Sequence, residues 1–142
     1  MSMTRIFDIS GRAVSAQSQR LNVVASNLAN IDTVAGPDGK AYKARNVVFQ
    51  TVLQDQGRGG RAAETNAGVT VSTITESNKL GRTVHDPKHP NADAEGNVTY
   101  SNVDAVEEMV NMISASRSYQ NNIEVMNTAR SLLLKTLQLG QG

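Results

Sequence analysis

Large apolar side chains gather at the two ends of this chain rather than in its middle. Near the start, Met3, Phe7, Ser10, Val14, Gln17, Leu21, Val24, Leu28 and Ile31 alternate steps of four and three, and seven of the nine are apolar. That is the period of a helix laying one stripe against another helix. Asn30, Asp32, Thr33, Gly36 and Pro37 then form a dense stop signal.

The other end repeats the pattern. Met109, Met112, Ser116, Tyr119, Ile123, Met126, Arg130, Leu133 and Leu137 again alternate three and four, with seven of nine apolar. Asp104 followed three residues later by Glu107 has the spacing of a capping box, with Ser101 or Asn102 as alternative caps. Glu107 and Glu108 suit the positive end of the helix dipole, Arg130 and Lys135 the negative end, and Gly140 is a natural stop. Helices of about 30 residues would each run about 45 Å.

Neither helix can bury its stripe alone, so the pattern predicts an α+β chain. A long helix from residues 1–33 and another from 102–142 pack as a coiled-coil-like pair around a small β-rich insert, 34–101. The seams are only partly apolar and are flanked by amides: Asn22, Asn27 and Asn30 on one helix, Gln120, Asn121, Asn122 and Asn127 on the other. Buried amides need partners and tend to fix register and neighbour. Ala13, Ala16, Ala25, Ala29, Ala115 and Ala129 permit close approach. A two-helix pair of this quality should be marginal alone and gain order among more helices of its kind.

The insert is punctuated by Gly36-Pro37-Asp38-Gly39, Gly57-Arg58-Gly59-Gly60, Pro87 and Pro90. Between them lie β-prone stretches, 42–53 and 69–75, with weaker ones near 80–84 and 98–100. Residues 54–68 read as a long flexible loop.

Composition removes most chemistry. Among 142 residues there is no Cys and there are only two His, which excludes thiolate metal sites and cysteine nucleophiles. A net charge of +1 provides no field to gather nucleic acid. Charged residues such as Arg5, Asp8, Arg12 and Arg20 interrupt the first helix, so neither a secretory leader nor a membrane span is expected. His85 and His89, near Asp86, Asp93 and Glu95, are the only metal-type cluster, but Pro87 and Pro90 forbid the helix that would align them, and a solvated turn is the better reading. Gly57-Arg58-Gly59-Gly60-Arg61 lacks both the Lys-Ser/Thr of a phosphate loop and interleaved aromatics, and reads as a linker. No catalytic constellation, metal site or cofactor is expected.

Gln19–Asn30, with Asp32-Thr33 after it, resembles the N-terminal signature of the flagellar rod, hook and hook-associated axial proteins. The C-terminal stretch narrows the resemblance to the proximal rod proteins of that family: Asn102-Val103-Asp104, Glu107–Ile113, Ser116–Gln120, and Asn127 through Leu137. Asp86-Pro87-x-His89-Pro90-x-Ala92-Asp93 before Gly96-x-Val98 fits as well, so the resemblance spans nearly the whole chain. Asn97 stands where the family usually has Tyr, and Ser101 where Pro is common.

The resemblance implies a structural subunit of the basal-body rod. Such a subunit is exported by the flagellar type III apparatus without a cleaved leader and assembles in the periplasm with copies of itself, other rod proteins and the basal-body ring. Its terminal helices, often disordered before assembly, would form the inner layer of an axle that transmits torque. The expected assembly interface is Leu21, Val24 and Leu28 against Met109, Ile123, Met126, Leu133 and Leu137, with Asn22, Asn27, Asn30, Gln120 and Asn127 setting register. The competing reading is a helical adaptor that binds partner helices without building a rod.

Overall fold

A computed structural model describes residues 3–54 and 66–140. Two helices, α1 (Met3–Ala29) and α2 (Ala105–Leu139), flank four strands: β1 (Arg45–Gln54), β2 (Asn66–Glu76), β3 (Thr83–His85) and β4 (Asn97–Thr99). At 27 and 35 residues, the helices span about 40 and 52 Å. Arg20 bonds Asn111 across the pair, while Ile6 shares a groove with Val125 and Leu132, so the helices run antiparallel.

α1 follows its expected stripe. Each seam position from Phe7 to Ile31 is buried or half-buried, while Asp8, Ser15, Gln19, Asn22 and Ala29 face outward. The helix stops where the polar cluster begins. Asn30 N–H reaches the Ser26 and Asn27 carbonyls, and the Thr33 hydroxyl closes onto Asn30 O at 2.7 Å.

α2 departs from expectation. Its inward face is Glu108, Met112, Ala115, Tyr119, Asn122, Met126 and Ala129, also in steps of four and three. Every second seam residue is therefore the one before the residue expected: Met109 and Arg130 are exposed, and Ala115 and Ala129 are buried in the positions next to Ser116 and Arg130. Small side chains at Ala115 and Ala129 admit the partner backbone closely, whereas beside Met109 it is Glu108 that turns inward. Asp104 caps the helix as predicted, accepting from Val106 N–H at 2.8 Å and Glu107 N–H at 3.0 Å. The reciprocal half of the box is absent, because Glu107 pairs with Lys79 at 3.4 Å. Gly140 follows the last helical residue in a right-handed conformation, so no left-handed cap ends α2.

The insert forms two separate two-stranded antiparallel sheets, β1–β2 and β3–β4. β1 and β2 pack on α1, and their register slips between Val48 and Phe49, leaving Ser72 as the extra residue. Past the slip Ile74 pairs with Val47 and is exposed. The strands also take in Gln54 and Asn66–Gly68, which were expected in the loop; the remainder of that stretch, including Gly57–Arg61, lies outside the described residues. The isolated Val34–Tyr100 bridge ties the small sheet to the chain leaving α1.

Candidate assembly surface

The residues expected at the interface divide into three groups. Val24 and Asn27 are buried within the chain; Leu21, Leu28, Asn30, Ile123 and Met126 are half-buried; Asn22, Met109, Gln120, Asn127, Leu133 and Leu137 are exposed.

Asn27 requires a correction. It is 0% exposed, and its amide is spent on β1 rather than on the register of a neighbouring helix. Its Nδ2 donates to Arg45 O at 2.8 Å, while Oδ1 accepts from Arg45 N–H and from the Tyr42 hydroxyl, both at 3.0 Å. The side chain thus mimics a paired strand and fixes where β1 starts on α1. Asn30 is likewise a local residue, donating to Ser26 O at 2.8 Å to finish the helix. Both amides are satisfied inside one chain. The exposed amides Asn22, Gln120 and Asn127 are the ones that face solvent.

Two residues escaped the sequence reading. Glu108, assigned there to helix polarity, is only 4% exposed, and its Oε2 has no hydrogen-bond partner. It lines a pocket with Arg20, Val24, Arg45, Phe49 and Asn111. Its position one step before an expected seam residue was the available signal. Ser101, 4% exposed, donates its hydroxyl to Ile31 O at 2.6 Å and its N–H to Thr33 O at 3.0 Å. A Pro here would supply neither bond. Asn97, the other departure, pairs with His85 at the end of the β3–β4 sheet and places Oδ1 3.2 Å from His85 Nδ1.

The solvated turn around His85 and His89 is a set of local closures: Asp86 accepts from Lys88 N–H, His89 from Asn91 N–H, and Asp93 from Glu95 and Asn97 N–H. Among the described residues no group of three or more metal-type side chains converges, and no helix is long and apolar enough to cross a membrane.

The free surface is apolar and helical. Val106, Val110 and Ile113 form an exposed strip on the outer side of α2 near its start. From Arg130 to Gly140 every residue is exposed, including Leu132, Leu133, Leu134, Leu137 and Leu139. Since Ile6 lies beside Val125–Leu132, the last two turns of α2 project past the described start of α1. Exposed apolar surface on this scale marks a protein of the kind that assembles with partners.

Comparison with known proteins specifies the assembly. A model described as flagella basal body rod protein matches residues 7–37, and one described as flagellar basal body rod FlgEFG protein C-terminal matches 94–139. Over 141 residues the chain is 55% identical to the flagellar basal-body rod protein FlgC of Yersinia enterocolitica and 54% identical to that of Salmonella typhimurium. Each alignment covers 99% of this chain and 100% of the relative. The FlgC of Buchnera aphidicola subsp. Acyrthosiphon pisum is 43% identical over 143 residues. The chain belongs to the FlgC family of flagellar basal-body rod proteins.

Proposed function

We propose that this chain is a structural, non-catalytic subunit of the proximal rod, which joins copies of itself and other rod proteins through its terminal helices and carries torque by packing. The observation that supports this most directly is the distal part of α2, where Leu132, Leu133, Leu134, Leu137 and Leu139 are exposed on an ordered helix. Covering each leucine would contribute about 1.5–3 kcal/mol, and no other part of the described chain does so. Neighbouring helices in a continuous axle would. Head-to-tail contacts that do not close on themselves build such an axle.

The residues proposed for these contacts are Asn22, Met109, Gln120, Asn127, Leu133 and Leu137, with Leu21, Leu28, Ile123 and Met126 contributing at the edge of the pair. The subunit would be delivered by flagellar type III export to a periplasmic site inside the basal-body ring. The absence of Cys suits that oxidising address. Leu133→Asp tests the reading. Self-association followed by sedimentation should be lost while the circular dichroism of the monomer is unchanged; retained association would overturn it.

A further inference from the structure

Leu80 is the most exposed of the large apolar residues described, at 96%. Its loop is nevertheless tied down on both sides. Asn102 Nδ2 donates to Ser77 O at 3.1 Å and to Lys79 O at 2.8 Å, while its Oδ1 accepts Ala44 N–H at 2.6 Å. Beyond Leu80, Tyr100 N–H donates to Arg82 O at 2.7 Å, and Gly81 lies so close to the Tyr100 carbonyl that a Cβ there would collide with it. A fixed backbone that holds a leucine in water is pre-organised for a partner, because little ordering entropy remains to be lost on contact. Lys79 and Arg82 flank the leucine, the latter with its guanidinium 4.8 Å above the Tyr100 ring.

A matching cavity lies toward the other end of the helix pair. Ile6, Val125, Ala129 and Leu132 line an open, largely apolar groove of about 660 Å³, to which Asn121 and Glu124 contribute polar groups. Glu107 pairs with Lys79 beside the leucine, and Val125 lines the groove. These two α2 residues are separated by about 27 Å of helix, so Leu80 lies far from the groove of its own chain.

We propose that Leu80 of one copy docks in the α1–α2 groove of the next copy, with Lys79 and Arg82 meeting Glu124. Apolar knob and apolar groove carry opposite charge at their margins, which selects this partner surface over others. The two surfaces are unlike and lie at different ends, so the contact repeats head-to-tail. The proposal rests on self-assembly and adds an insert-to-helix contact to the contacts between terminal helices.

The chain contains no Cys, so engineered pairs report cleanly. Leu80→Cys chains mixed with Val125→Cys chains under mild oxidation should give about tenfold more mixed disulfide dimer than exposed Thr73→Cys chains mixed with Val125→Cys chains. Leu80→Asp should raise the concentration for half-maximal association about tenfold with unchanged circular dichroism. Arg82→Glu should weaken association, and adding Glu124→Arg to the same chain should restore it. Cross-linking no better than the Thr73 control overturns the docking. So does wild-type association by Leu80→Asp while Leu133→Asp fails to associate, and the assembly reading then stands. If Leu133→Asp associates as well, both fall.

Discussion

The two helices solve the same sequence problem in opposite ways. α1 meets α2, β1 and β2, buries Ser10, Ala16, Val24 and Asn27, and turns its stripe inward from Phe7 onward. α2 is eight residues longer, 35 against 27, yet buries only Glu108, Ala115 and Ala129. A heptad pattern therefore marks a surface that will be covered without saying by which chain. α1 integrates the subunit; α2 supplies most of the surface that remains open to neighbours.

Asn27→Ala is the sharpest way to break the contrast from the α1 side. It strips three hydrogen bonds from a fully buried site and should lower stability by about 3 kcal/mol in urea denaturation. Asp104→Ala removes the cap on α2 and should cost about 1 kcal/mol by the same measurement. Glu108→Met replaces a buried, incompletely bonded carboxylate with an apolar side chain of similar length and should raise the urea midpoint, by up to about 1 kcal/mol of stability. Leu137→Asp, on the exposed end of α2, should change monomer stability by less than about 0.5 kcal/mol while reducing association in sedimentation. A loss of monomer stability comparable to that of Asn27→Ala would erase the distinction between the helices.

The local features of the fold were legible because their causes are local. The α1 stripe, the polar stop after Leu28 and the Asp104 cap depend on residues a turn apart, and all three lie where expected. Positions decided by distant partners were not. Asn27 looked like a register amide because nothing near it in sequence names Arg45, 18 residues away, as its partner. On α2, Glu108, Ala115 and Ala129 are buried beside the expected Met109, Ser116 and Arg130, and a pattern of large apolar side chains does not mark a carboxylate or an alanine as the inward residue. Two sheets could not be told from one, since strand patterning does not encode pairing. Leu80 looked like part of a weak strand; its exposure follows from Asn102 and Gly81, which tie the backbone around it.

The buried alanines on the inward face of α2, Ala115 and Ala129, have a mechanical consequence. Alanine has no χ rotamer to change and no side-chain entropy to recover. A sideways load on a leucine-rich seam can be relaxed by rotamer hopping, which dissipates strain and lets helices creep past one another. At the alanine contacts that slack is missing, and the backbones must shear together or separate. Local stiffness at these two points of the subunit is thus set by its smallest side chains.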